Sequence, residues 1–167
     1  VTGDLQNIVM KVRMVPVSAV FNRFPRMVRD VSKELGKEIN LTIEGEETEL
    51  DRTVIDEIGD PIMHLLRNSL DHGVESPDAR EAKGKSRVGE VGLIARHEGN
   101  NVVIMITDDG AGIDADKIRR KAVEKGMITQ EEADRLDDAD AVRLIFLPGF
   151  STAEQITDIS GRGVGMD

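Results

Sequence analysis

The stretch from Asp60 to Gly73 constrains this chain more than any other. Asp60 is a suitable N-cap, Pro61 fits the first helical position because its missing N–H would be unpaired there, and Gly73 is typical of a residue that ends a helix. The pattern predicts a helix from Pro61 to His72. At about 100° per residue, its side chains divide into two faces. One face is polar and the other mainly apolar: His64, Asn68, Asp71 and His72 against Ile62, Met63, Leu66, Ser69 and Leu70.

Composition narrows the classes of function. The net charge is −10 and the chain has no Trp or Tyr, so no nucleic-acid partner is predicted. The absence of cysteine leaves no disulfide or thiolate metal site and fits a cytoplasmic setting. The longest aliphatic run, Val102–Ile106, is too short to cross a bilayer, so no membrane insertion is predicted.

Helical and alternating patterns follow one another irregularly along the chain. Taken together they predict a layered α+β sandwich more than a doubly wound sheet. The predicted elements are a helix over Pro25–Leu35 ended by Gly36, a strand over Ile39–Ile43, a short helix capped by Asp51 and ended by Gly59, strands over Val91–Ala95 and Val102–Thr107 with a hairpin turn at 99–101, a helix capped by Asp114, and a capping box at Thr129 and Glu132.

Two glycine clusters are candidate ligand loops. Asp108-x-Gly110-x-Gly112 follows an apolar strand. It is either a strand-to-helix turn or a place where a carboxylate accepts a hydrogen bond from an exocyclic amine while the glycines let the backbone approach a flat ring. Gly161-x-Gly163-x-Gly165 is either a flexible turn or a set of backbone N–H groups that cradle phosphate.

The polar helix face offers two kinds of chemistry. The amide oxygen of Asn68 is a suitable hard ligand for Mg²⁺. The imidazole of His64 could polarise or deprotonate a nucleophile. Both side chains could equally cap neighbouring loops. Lys117 begins a basic cluster after the Asp-Gly-Gly turn, which is either a solvated helix face or a means of reaching phosphate.

These motifs gain specificity from their order. An Asn-bearing helix, Asp-x-Gly-x-Gly after a strand, a loop and then Gly-x-Gly-x-Gly resemble the ATP-binding fold shared by gyrase, Hsp90, MutL and histidine kinases. Within it, the chain resembles the CheA family of chemotaxis histidine kinases over nearly its whole length. The matching segments are residues 10–16, 21–30, 64–73, 108–114, 147–152 and 160–167.

The resemblance implies a two-layer α/β sandwich of the Bergerat type, with helices on one face of a mixed sheet. It implies that the C-terminal strands of this fold are missing from the fragment. Residues 1–15 are expected to be the end of a preceding dimerisation helix or a leader. Residues 16–167 are expected to form the ATP-binding kinase domain.

The same resemblance implies a site for ATP and Mg²⁺. Asn68 would bind the Mg²⁺ that bridges the triphosphate, and Asp108 would receive the adenine amino group. His64 would stand where the ATPases of this fold keep a glutamate, so His64 and Asn68 are the expected catalytic residues. The loop over 148–160 would be the ATP lid, with Phe146 and Phe150 at its base. The other expected nucleotide contacts are Asp71, His72, Gly110, Gly112, Ile113, Lys117, Ser151, Thr152, Gly161, Arg162, Gly163, Val164 and Gly165.

The resemblance implies transfer of the γ-phosphoryl group of Mg-ATP to a histidine on a separate phosphotransfer domain, where kinases similar to CheA carry this residue. None of the three histidines of this chain lies in a phosphoacceptor context. Other expected partners of the full-length protein are response regulators, a coupling protein and chemoreceptors, with a homodimeric parent. Two alternatives remain. One is an ATP-hydrolysing conformational clamp of the same fold, and the other is a nucleotide-binding module without transfer activity.

Overall fold

The computed structural model describes residues 3–5 and 13–150. The chain divides into two compact units, Val1–Ala111 and Gly112–Asp167. We call them the first unit and the second unit. The predicted division into residues 1–15 and 16–167 remains a prediction.

The first unit contains helices and strands in an irregular alternation. In chain order its elements are β1 (Met14–Pro16), α1 (Ser18–Phe21), α2 (Phe24–Leu35), β2 (Ile39–Glu44), β3 (Glu49–Asp51), α3 (Arg52–Asn68), a π-helical turn (Ser69–Gly73), α4 (Pro77–Ala82), β4 (Gly89–Glu98) and β5 (Asn101–Asp108).

The first unit contains a mixed three-stranded sheet in the order β2-β4-β5. β2 and β4 run parallel, with Leu41 opposite Val91. β4 and β5 form an antiparallel hairpin, with Leu93 opposite Ile106. β1 and β3 form a separate antiparallel pair that the sequence pattern did not predict.

Apolar side chains from one face of this sheet pack against the helices, so the first unit has two layers. The strands contribute alternate residues because successive side chains of a strand point to opposite faces. The core includes Val28, Val31, Ile55, Ile62, Leu66 and Leu70 from the helices, with Val91, Leu93, Ala95 and the partly buried Ile39, Leu41, Ile43, Ile104 and Ile106 from the strands. The predicted α+β class, with helices on one face of a mixed sheet, is confirmed.

The predicted break between two helices at Gly59 is wrong. α3 runs unbroken from Arg52 to Asn68 with Pro61 inside it. Gly59 is buried in this helix, where an added Cβ would overlap the guanidinium of Arg23. The glycine therefore permits close packing and does not end the helix. One continuous buried stripe, Ile55, Gly59, Ile62 and Leu66, offsets the cost of about 3 kcal/mol that an internal proline carries.

The chain leaves α3 through the π-helical turn Ser69–Gly73, which the backbone N–H of Val74 closes onto the carbonyl of Ser69 at 2.8 Å. Gly73 does not end the helix as a left-handed residue, because it is not among the glycines with positive φ. π turns occur mostly as local insertions near functional sites.

The second unit contains α5 (Ala115–Glu124), α6 (Gln130–Arg135), α7 (Asp138–Arg143) and a 3₁₀ turn (Leu144–Phe146). The predicted caps are confirmed. The carboxylate of Asp114 accepts the backbone N–H of Asp116 at 3.0 Å, and Thr129 and Glu132 form the capping box. Among the residues that the structure describes, no helix is both long enough and apolar enough to cross a membrane.

Candidate functional site

Asn68 is the last residue of α3 and directly precedes the π turn. Its side chain is half-buried, and within residues 3–5 and 13–150 no group forms a hydrogen bond with its amide. His64, also half-buried, lies one turn earlier on the same helix. The amide oxygen of Asn68 is therefore available to a ligand.

Asp108 is the last residue of β5. It pairs with the buried Val91, which places Asp108 on the side of the sheet that faces the helices. Its Oδ1 accepts the backbone N–H of Gly110 at 3.0 Å. A Cβ added at Gly73 would lie 3.0 Å from its Oδ2. The end of the π turn thus lies directly against this carboxylate.

Gly110 is where the π turn meets the loop after β5. A Cβ added there would overlap the carbonyl group of Gly73 and lie 2.9 Å from the Oδ1 of Asp108. The backbone N–H of Ala111 donates to the same Gly73 carbonyl at 2.9 Å. The two glycines are therefore required for close approach of two backbone segments, and they leave no side chain between the π turn and the Asp108 carboxylate. We call this contact of Gly73, Asp108 and Gly110 the glycine notch.

Lys37 holds the π turn from the other side. Its Nζ donates to the carbonyl oxygens of Leu70 at 2.6 Å and Asp71 at 3.0 Å. Burial lowers the pKa of Lys37, while the nearby carboxylates of Asp71 and Glu75 act in the opposite direction. Sequence reasoning missed this residue, because nothing local to Gly36 and Lys37 indicates a distant pair of carbonyl groups.

The two remaining polar residues of the predicted face differ from each other. Asp71 is half-buried and lies 3.5 Å from the guanidinium of Arg67, one turn earlier. His72 is exposed to solvent. The structure brings both onto the π turn beside the glycine notch, and their roles in nucleotide binding stay predictions.

An ion-pair network contacts the loop that follows β5. The guanidinium of Arg80 is 2% exposed and contacts the carboxylates of Glu75 at 3.2 Å and Asp109 at 2.9 Å. The ammonium of Lys85 lies 2.9 Å from the other oxygen of Glu75. Sequence reasoning missed this network, since its members are separated along the chain.

The network changes the acidity of its carboxyl groups. The hydrogen bond from Lys85, aided by the backbone N–H of Glu75, lowers the pKa of Glu75 to about 2. Burial would raise the pKa of Asp109, but hydrogen bonds from the Glu90 backbone and from Arg80 lower it further than burial raises it. Both groups are therefore carboxylates at neutral pH.

Replacing Glu75 with glutamine tests this network through acid unfolding. The folded-state pKa of Glu75 is about 2 against an ordinary 4.5, so its stabilisation is complete above about pH 5 and is lost as the pH falls toward 2. We expect Glu75→Gln to lower the free energy of unfolding by about 1–3 kcal/mol at pH 7 and to match the parent near pH 2. Urea unfolding followed by circular dichroism from pH 2 to 7 measures both, with the exposed Glu57→Gln as control. Parallel pH profiles for parent and variant would contradict the role of this carboxylate.

The predicted residues of the second unit are accessible where they are described. Gly112 has φ +75°, Ile113 is 51% exposed and Lys117 is exposed in the first turn of α5. Arg119, from the same basic cluster, is engaged differently: its guanidinium contacts the carboxylates of Asp116 at 2.7 Å and Asp138 at 2.8 Å. The predicted basic face is thus partly a structural ion-pair cluster.

Of the two phenylalanines expected at the base of the lid, Phe150 is buried against Ile118 and Ala122, whereas Phe146 is 60% exposed. The remaining expected contacts lie outside the described residues, as does most of the predicted lid: Ser151, Thr152, Gly161, Arg162, Gly163, Val164 and Gly165.

The described residues fit an adenine nucleotide with Mg²⁺. Because Gly73 and Gly110 have no side chains, none lies beside the Asp108 carboxylate at the glycine notch. This carboxylate can accept a hydrogen bond from an amino group. The amide oxygen of Asn68 is a hard ligand of the kind Mg²⁺ accepts alongside waters and phosphate oxygens.

Comparison with known proteins gives one family and several relatives. Residues 57–167 match the family described as histidine kinase-, DNA gyrase B-, and HSP90-like ATPase. The whole chain is 61% identical to the chemotaxis protein CheA of Bacillus subtilis, of which it covers 25%. It is 56% identical over its whole length to the sensor histidine kinase CheAY of Helicobacter pylori, of which it covers 21%. A solved histidine kinase domain from Erythrobacter litoralis matches 78% of this chain and 54% of its own, with 17% identity and a TM-score of 0.43. The chain spans about a quarter of the length of the first of these curated relatives.

Proposed function

The chain belongs to the family of histidine kinase-, DNA gyrase B- and HSP90-like ATPases, and from this membership we propose that it is the ATP-binding catalytic core of a chemotaxis histidine kinase. Its identity to CheA proteins extends over the whole chain, which supports the kinase branch of the family. The observation that carries the proposal is the glycine notch. It places a carboxylate, two side-chain-free backbone segments and the end of the Asn68 helix in one continuous piece of structure.

Each described residue has a distinct part in this proposal. The carboxylate of Asp108 accepts a hydrogen bond from the adenine amino group, and Gly110 lets the backbone approach the ring. Asn68 supplies an oxygen ligand to Mg²⁺, and the charge of Lys117 neutralises phosphate charge. The remaining positions proposed to contact nucleotide are Asp71, His72, Gly112, Ile113, Ser151, Thr152, Gly161, Arg162, Gly163, Val164 and Gly165.

Mg-ATP, when bound, would supply the γ-phosphoryl group that a histidine nitrogen on a separate phosphotransfer domain accepts as ADP leaves. For phosphoryl transfer the work of a protein is mostly positioning and charge neutralisation. Asn68, Gly161, Gly163 and Gly165 would position the phosphates and neutralise their charge, and His64 would orient or deprotonate the accepting histidine. His64 lies four residues before Asn68, where the ATPases of this fold have a glutamate that activates water. An imidazole carries no negative charge at neutral pH, so this position favours a kinase over an ATPase.

The proposed setting is the cytoplasm. The proposed partners are a phosphotransfer domain that carries the substrate histidine and, through the full-length protein, response regulators, a coupling protein and chemoreceptors. We propose that the full-length protein is a homodimer.

A transfer assay separates this proposal from its two alternatives. We expect the full-length protein, incubated with Mg²⁺ and ATP labelled at the γ-phosphate, to acquire label on histidine that is stable to base and labile to acid. An ATP-hydrolysing clamp would release labelled phosphate at the same rate with or without an acceptor domain. A binding module would hold nucleotide but give neither product, and either of these results would contradict the kinase assignment.

A further inference from the structure

We propose that Lys85 and Arg80 are positioning residues that hold the backbone of Asp109 and Gly110 and thereby set the adenine selectivity of the Asp108 carboxylate. The inference rests on the proposed function. It adds a specificity determinant outside the motifs that the sequence indicates, in the segment between α4 and β4.

The guanidinium of Arg80 contacts both the loop after β5 and the segment after α4. Its Nε donates to the carbonyl of Ser86 at 2.6 Å, and one terminal nitrogen donates to the carbonyl of Asp109 at 3.3 Å. The other terminal nitrogen donates to the carboxylate of Asp109 at 2.9 Å. At 2% exposure, such contacts gain strength from the low local dielectric. Arg80 therefore ties the loop after β5 to the segment after α4.

Lys85 holds the next peptide groups. Its Nζ donates to the carbonyl oxygens of Asp109 at 3.1 Å and Gly110 at 3.0 Å, and it lies 2.9 Å from the carboxylate of Glu75. Glu75 is 8% exposed and contacts both cations. The carboxylate thus keeps Lys85 and Arg80 in place behind the loop, while the two cations hold the carbonyl groups.

The adjacent residues Asp108 and Asp109 consequently differ in function. Asp109 uses both carboxylate oxygens within the protein, one for the backbone N–H of Glu90 at 2.9 Å and one for Arg80. Asp108 uses one oxygen for the N–H of Gly110 and faces the glycine notch. Because Arg80 and Lys85 hold the carbonyl groups of Asp109 and Gly110, the Gly110 N–H that binds the Asp108 carboxylate is held in place as well.

Positioning of this kind affects selectivity more than overall binding. A hydrogen bond to a charged group contributes roughly 10- to 150-fold in affinity, and displacement of the acceptor weakens that bond. The displacement here would affect the hydrogen bond to the adenine amino group, which a guanine base does not offer in the same form. Contacts with the triphosphate and Mg²⁺ would be unaffected.

The chain supplies a matched control in Lys83. Its Nζ lies 3.5 Å from the same oxygen of Glu75, and among the described residues it contacts neither of the two loop carbonyls. Lys83→Met and Lys85→Met therefore remove the same charge from the same carboxylate. Only Lys85→Met removes the contacts with Asp109 and Gly110.

The test is calorimetric titration of the full-length protein and its variants with Mg-ATP and Mg-GTP. We expect Lys85→Met to weaken ATP binding about 10-fold or more while GTP binding changes less than about twofold, so that the ATP/GTP preference falls. Lys83→Met should keep the preference of the parent, and Lys85→Arg should restore a large part of it. Melting temperatures of the two methionine variants, compared with each other, check that both are folded.

Suppose that the parent prefers ATP over GTP and loses this preference on Asp108→Asn. The inference alone would then be overturned if Lys85→Met had the same ATP/GTP preference as Lys83→Met. It would also be overturned if Lys85→Met lost ATP affinity and GTP affinity equally. A parent without any preference for ATP would overturn both the proposed function and the positioning role. The two failures are therefore distinguishable.

Discussion

Replacing Asn68 with alanine is expected to weaken Mg-ATP binding by the full-length protein about 100-fold or more. Loss of groups that merely support a metal ligand typically costs 10–100-fold in metal affinity, and Asn68 is proposed as a direct ligand. Its amide is hydrogen-bonded to no other described residue. Truncation should therefore remove a ligand contact without breaking an internal one, and the fold should be retained.

The dependence of this loss on Mg²⁺ identifies its cause. Calorimetric titration with ATP in the presence of Mg²⁺ should separate Asn68→Ala from the parent, whereas titration in excess chelator should bring the two close together. Asn22→Ala, which truncates an exposed amide after α1, is the control and should bind like the parent. A loss of equal size with and without Mg²⁺ would contradict the metal-ligand role.

Asp108→Asn is expected to abolish the preference for adenine, with ATP affinity reduced about 10–150-fold. A hydrogen bond to a charged group contributes about 1.5–3 kcal/mol. The geometry adds a second penalty. The N–H of Gly110 already donates to the Oδ1 of Asp108, so the amide oxygen of an asparagine is held at that position. Its amino group must then take the place of Oδ2 and would face the amino group of adenine, donor against donor.

Competition titrations with Mg-ATP and Mg-GTP measure this effect. GTP affinity of Asp108→Asn should stay within about twofold of the parent, since the triphosphate contacts are unchanged. Asp56→Asn, an exposed position on α3, removes the same charge elsewhere and should leave ATP affinity unchanged. Equal ATP affinity in Asp108→Asn and the parent would remove Asp108 from the adenine site.

Local signals in the sequence predicted the elements that depend on local chemistry. Gly36 ends α2 with φ +66°, Asp51 and Asp114 cap helices with their side chains, and the turn after Glu98 joins the β4–β5 hairpin. Each of these features needs only a few neighbouring residues, so the pattern of a single segment suffices to predict it.

Glycine and proline misled the same reasoning where tertiary packing decides. The helix through Gly59 and Pro61 stays intact because its buried stripe is continuous and because Arg23 fills the space beside Gly59. Gly73 serves the close approach of Asp108 and Gly110 and not a left-handed turn. A sequence marks these residues as special without indicating whether turn geometry or packing requires them.

In the candidate site, too, the residues of local motifs were predicted and the residues that make long-range contacts were not. Asn68, Asp108 and Gly110 were predicted because their spacing and order resemble a family pattern, and the structure places Gly73 against the last two. The supporting contacts of Lys37, Arg80 and Lys85 were not predicted, because each joins segments 24 or more residues apart in at least one hydrogen bond. Such long-range contacts leave no local pattern in a single chain.

The most direct test is a structure of the full-length protein with Mg²⁺ and a non-hydrolysable ATP analogue. The account predicts the adenine amino group within about 2.7–3.2 Å of the Asp108 carboxylate and Mg²⁺ about 2.0–2.1 Å from the Asn68 amide oxygen. The base should lie beside the glycine notch, next to the Asp108 carboxylate. Nucleotide bound away from the notch, or Mg²⁺ without a contact to Asn68, would contradict the account.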